Sequence, residues 1–93
     1  MMLDGMIITR EIVARHVCKI IESTRPKLAG LIEPATLLTP ELGVDSLALI
    51  EAIIGIEERF GITMGDIEEL DVERHTSAAD LIDVVVAKLE AVG

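Results

Sequence analysis

Aromatic side chains are nearly missing from this chain. It has no Trp and no Tyr, and Phe60 is the one aromatic among 93 residues. The core must therefore be assembled from Ile, Leu, Val and Met, which suits packed helices given the 3.6-residue apolar periods described below. The same shortage argues against a single-stranded nucleic-acid partner, because such sites stack bases on aromatic rings. Positive charge is scarce as well: eight Lys and Arg stand against 17 Asp and Glu, a formal net charge of −9. The imbalance is local. Residues 1–31 hold five basic and three acidic side chains, whereas residues 32–93 hold three and fourteen. From Glu33 to Glu73 the lone cation is Arg59, against eleven carboxylates. Phosphate backbones are bound by Lys and Arg, so nucleic acid is a poor partner and a basic protein surface is the natural complement. The plainer reading is that acidic charge keeps a small apolar-rich protein soluble.

Other absences narrow the class further. Cys18 is the sole cysteine, which excludes an intrachain disulfide; it falls in a helical stripe and reads as a small core residue. No apolar run approaches the roughly 20 residues of a membrane span. The start, Met1 to Ile8, lacks a basic region and is broken by Asp4 and Gly5, so it is not read as a signal peptide, and a cytoplasmic location is expected. Only His16 and His75 could serve as imidazole bases, and there is no Gly-x-Ser-x-Gly elbow. Neither a catalytic site nor a metal site is expected.

What is present is apolar and periodic. Hydrophobic residues make up 51% of the chain, too much for disorder, and 93 residues make one domain. Residues 1–6 read as flexible or as the start of the first helix. Thr9 can cap a helix to about Ser23 or Thr24, with Ile12, Val13, Val17, Ile20 and Ile21 on one face, and Pro26 ends it. A long connection, Arg25 to Val44, carries leucines that would seal one end of a bundle, with a helical turn near Pro34 to Leu38. A second helix is expected over Ser46 to Phe60, closed by Gly61. Its far face would carry Ala48, Glu51, Ala52, Gly55, Glu58 and Arg59. Asp66 would cap a brief helix from Ile67 to Leu70 or Asp71. Thr76 or Ser77 would open the last helix, and Ser77 with Asp80 forms a variant capping box. The fold class is all-α: a four-helix bundle of three main helices plus a short third one, with a long loop between the first two.

The segment Leu42-Gly43-Val44-Asp45-Ser46-Leu47 is the most informative. Glycine lets the backbone turn, Asp45 sits where a helix begins, and Ser46 opens its first turn. A helix N-terminus favours a phosphate through its free N–H groups and its dipole. Asp and Ser are also ordinary capping residues. A hydrolytic nucleophile would need an adjacent base and an oxyanion site, which the sequence does not offer.

These residues, with Glu51, Glu57-Glu58, Phe60-Gly61-Ile62 and Leu81-Ile82-Asp83, closely resemble the acyl carrier protein family over about Ile12 to Leu89. The resemblance implies a stand-alone carrier and not an enzyme. A phosphopantetheinyl transferase would attach 4′-phosphopantetheine from coenzyme A to Ser46, and the arm would hold acyl groups as thioesters for fatty-acid, polyketide or specialised biosynthesis. Asp45 would contact a basic residue of the transferase, and Leu47 would fill an apolar pocket on partners. Ala48, Glu51, Glu57 and Glu58 fall on the family's docking face, opposite basic surfaces of loading and processing enzymes; a solvated helix face is the plainer reading of the acids. Ile54, Ile62, Met64, Ile67 and Leu70 are candidates to line an acyl pocket, or plain core. The carrier is expected to be a monomer.

Some positions depart from fatty-acid-type carriers. Ala48 replaces an acid, Met64-Gly65 replaces an apolar-Pro pair, and the segment from Ile67 to His75 is longer. These features are similar to discrete carriers loaded with amino acids or unusual acyl groups by adenylate-forming ligases, or to those of polyketide pathways. His75 stands where such relatives often place an aromatic, and would cap the acyl pocket or fill a helix junction. An unmodified interaction module is the alternative from another class. Self-repulsion between Glu33 and Glu73 yields a first expectation: the melting temperature rises with added salt and further with magnesium. Thermal melts that ignore both would contradict it.

Overall fold

The computed structural model describes residues 2, 3, 6–63 and 77–92. Its elements in chain order are β1 (Met2–Leu3), β2 (Met6–Ile7), α1 (Arg10–Ser23), a 3-10 turn (Pro26–Leu28), α2 (Ser46–Phe60) and α3 (Ala78–Val92). The short helix expected at Ile67, with Met64, Leu70 and His75, lies outside the described residues. The opening residues differ from expectation. Met2 pairs with Ile7 and Leu3 with Met6 in a small antiparallel ladder, so β1 and β2 precede α1 instead of extending it.

Each helix end follows from a local signal. Thr9 Oγ1 accepts from the Ile12 amide at 3.3 Å and opens α1. Gly61 closes α2 in the left-handed region (φ 65°), its N–H donating to the Glu57 carbonyl at 2.8 Å. Only a residue that tolerates positive φ ends a helix this way cheaply. Ser77 and Asp80 exchange bonds at the start of α3: the Ser77 amide donates to Asp80 Oδ2 at 2.8 Å and the Asp80 amide to Ser77 Oγ at 3.3 Å. That is the reciprocal box expected from the sequence.

The α1–α2 pair is antiparallel. His16 meets Phe60 edge to face at 6.0 Å, Ile20 faces Gly55, and Arg25 reaches Glu51. A Cβ placed on Gly55 would lie 2.9 Å from Cγ2 of Ile20, so the seam is close at this point. Ala52 and Ala48, one and two turns earlier, are fully buried. This corrects the expected far face of α2, which was to carry both alanines. Their small side chains let neighbouring structure approach the helix, so they are covered and not displayed. The remaining core is aliphatic, as the composition requires: Val13, Val17 and Ile21 of α1, Ile53 and Ile56 of α2, and Leu81, Ile82 and Val85 of α3 are almost wholly enclosed. An exposed Arg10–Asp83 ion pair ties α1 to α3.

The long connection is ordered by its own hydrogen bonds. Its helical turn falls at Pro26–Leu28, not near Pro34 to Leu38 as the sequence suggested; Pro at the first position of such a turn has no N–H to leave unpaired. Leu28, Ile32 and Leu38 enter the core, whereas Leu31 and Leu37 remain exposed. The carbonyls of Thr36 and Pro34 accept from the Ala78 and Ala79 amides at 3.0 and 2.8 Å, and Leu37 bridges Ser77. The loop thus satisfies first-turn donors of α3 that have no partner inside the helix.

The Gly55–Ile20 contact sets a stability test. Gly55→Leu should cost about 1–3 kcal/mol by overpacking. Gly55→Ala should fall much closer to neutral, since about 1 kcal/mol of helix propensity offsets the crowding. Urea unfolding midpoints of the two variants check both statements.

Candidate functional site

The site is built where the chain leaves the core. Pro40 to Val44 forms a turn in which the Gly43 amide donates to the Pro40 carbonyl at 3.0 Å and the Val44 amide to the Thr39 carbonyl at 3.0 Å. Gly43 sits at φ 115°, a conformation side chains rarely adopt, and a Cβ there would come within 2.4 Å of Lys27 Cε. Val44 is fully buried, whereas Asp45, Ser46 and Leu47 are exposed. One peptide step therefore separates the anchor from the displayed residues.

Asp45 has extended backbone geometry, and its Oδ1 accepts from the Ala48 amide at 2.8 Å. This is an N-cap bond, and it fixes the first turn of α2. Ser46 is the first helical residue, so its hydroxyl lies on the rim of the helix N-terminus, beside free amides and the positive end of the dipole. It makes no hydrogen bond or ion pair within the described residues. Leu47 follows at 58% exposure, a large apolar side chain in water beside the serine.

The other expected residues divide. Glu51 and Glu58 lie on the exposed side of α2 and Glu57 is half-buried. Ala48, expected on the docking face, is buried beneath it. Among the pocket candidates, Ile54 is 48% exposed and Ile62 packs at the edge of the core; Met64, Ile67 and Leu70 lie outside the described residues. His16 is half-buried against Phe60. Burial, with Arg59, Lys19 and Arg15 nearby, lowers its pKa from the ordinary imidazole value. It lies at the Phe60 end of α2, at the opposite end from Ser46. Cys18 is buried as expected, and burial with Glu22 and Glu33 nearby pushes its thiol up.

One site residue was not anticipated. Arg25 donates from Nη1 to Glu51 Oε2 at 3.1 Å and to the Thr24 carbonyl at 2.6 Å, and from Nη2 to Asp45 Oδ1 at 3.4 Å. Its signal in the sequence is its place at the end of α1, immediately before Pro26. An antiparallel α2 then brings its acid-bearing start alongside.

The chain was compared with known proteins. The model of the family described as "Phosphopantetheine attachment site" matches residues 13–85. The chain is 31% identical over 85 residues to acyl carrier protein 5, chloroplastic, of Arabidopsis thaliana, covering 80% of this chain and 61% of that protein. It is 27% identical over 77 residues to an acyl carrier protein of Acidothermus cellulolyticus, covering 83% and 92%. A third, from Desulforapulum autotrophicum, is 38% identical over 66 residues, covering 67% and 82%. Against the plant relatives the chain spans between 37% and 61% of their length. No solved structure matches at a significant level. The fold and the match together define a carrier domain with a covalent 4′-phosphopantetheine group. The chain belongs to the acyl carrier protein family. No helix among the described residues is long and apolar enough to cross a membrane.

The residues present suit that group: an exposed hydroxyl on the first residue of α2, beside the positive end of the helix dipole. The cap can be tested apart from the prosthetic group. Asp45→Ala should lower stability by about 1 kcal/mol, whereas Asp45→Asn, which keeps an acceptor oxygen, should be nearly neutral. Denaturant titrations compare the two directly.

Proposed function

We propose that the chain carries acyl intermediates on a phosphopantetheine arm attached through a phosphodiester to the Ser46 oxygen. The observation that carries this reading is the placement of Ser46: exposed, without a hydrogen-bond partner among the described residues, and first on a helix whose start is fixed by Asp45. When bound, the arm supplies a terminal thiol on a long tether that holds an acyl group as a thioester. The chain's own residues present, orient and identify. Asp45 fixes the helix start, α2 holds the serine rigidly, and the helix dipole favours the phosphate there. Leu47 and the carboxylates Glu51, Glu57 and Glu58 are read as the docking face, and the transferase supplies the base that Ser46 lacks. Tethering then raises the effective concentration of cargo at a docked partner.

In this reading residues 1–93 are one carrier domain; the short helix expected from Ile67 to Leu70 or Asp71 lies outside the described residues. Fatty acyl or related acyl cargo is the class we assign, because the relatives are named acyl carrier proteins. Small or polar cargo would stay outside the bundle, consistent with the exposure of Ile54.

Intact mass after incubation with coenzyme A and a broad-specificity transferase tests the assignment. A gain of one phosphopantetheine, lost in Ser46→Ala, is expected. Ellman's reagent adds an independent readout: the loaded chain should show one fast thiol from the arm and one slow thiol from Cys18, whose ionisation burial opposes. An unchanged mass, or uptake that survives Ser46→Ala, would refute the assignment.

A further inference from the structure

Arg25 occupies the carboxylates that a basic partner would seek. Its side chain is 26% exposed, against 59% for Asp45 and 45% for Glu51, so the cation is the most covered member of the cluster. The two acids remain reachable from solvent, yet with Arg25 among them the three groups carry one net negative charge and not two. An incoming Lys or Arg meets these acids only in competition with a guanidinium already in place. Ion pairs this exposed are weak, so the exchange is available. Beside the cluster, Leu47 and Ile54 stand on the same side of α2 as Glu51, since residues four and seven apart nearly align. At 58% and 48% exposure they offer apolar contact that Arg25 does not mask.

We propose that Arg25 is a specificity-determining residue: a built-in counter-cation over Asp45 and Glu51 that weakens partners docking through basic side chains alone. This inference rests on the reading of Ser46 as the attachment site, which places the cluster at the docking face.

The test uses the full chain carrying Ser46→Ala, so that binding is measured without modification, with a basic phosphopantetheinyl transferase as the probe. Arg25→Met should bind it about three- to tenfold more tightly at low salt. That gain should shrink as ionic strength approaches 1 M, where screening acts within about 3 Å. Arg25→Gln keeps a donor for the Thr24 carbonyl and removes the charge, so it should show the same gain with the fold retained. Adding Glu51→Gln to either variant should return affinity toward that of the parent. Arg25→Gln with a native circular dichroism spectrum and no tighter binding would overturn the proposal. So would a gain that is indifferent to salt, or no binding by any variant. If the Ser46 chain takes up the arm but Arg25 variants bind no tighter, this inference alone fails. If the Ser46 chain takes up no arm, the attachment reading fails.

Discussion

The boundary between Val44 and Asp45 is the constraint from which the site follows. Val44 is locked in the core, and the next side chain turns back to hold the Ala48 amide. Core packing fixes where the loop ends, and the cap bond fixes where the helix begins. Ser46 has no freedom to drift between them. A hydroxyl on a mobile loop would have to be ordered by each partner, and that ordering would cost entropy on every encounter. Here it is ordered in advance by two interactions that do not involve the hydroxyl itself.

That boundary depends in turn on the seam between α1 and α2. Gly55 faces Ile20, His16 faces Phe60, and Arg25 faces the start of α2. A near-constant register along the pair aligns the end of α1 with the site. With Ala48 and Ala52 buried, the outer side of α2 is left to Leu47, Glu51, Ile54 and Glu58. Small residues inside and large or charged ones outside are two sides of one arrangement. The same compact helix that packs against its neighbours displays a mixed apolar and acidic surface next to Ser46.

Much of this was legible in the chain because it is local. The caps at Thr9, Asp45 and Ser77, the left-handed Gly61 and the apolar stripe of α1 depend on residues within a few positions of one another. What the sequence concealed is nonlocal. Alanine is tolerated on either side of a helix, so nothing in Ala48 or Ala52 declares burial until the neighbouring structure is in place. The helical turn at Pro26–Leu28 and the bonds from Thr36 and Pro34 to α3 depend on how a 20-residue connection folds back. Arg25 read as a residue of the N-terminal third, which carries a positive balance, and its meeting with Asp45 and Glu51 exists only after the helices pair. The exposed start of α2 at Ser46 and its cap were therefore visible, while the charges around them were not.

The attachment of the loop to the start of α3 has a mechanical consequence. Two loop carbonyls and the Leu37–Ser77 bridge grip the first turn of that helix. α3 cannot tilt away from the bundle as an independent lever. Any such tilt must drag residues 34–37 along with it or break those bonds together. The connection and the last helix thus form one hinged panel, and the stiffness of the bundle's rim is set as much by backbone carbonyls in an irregular segment as by aliphatic side chains inside.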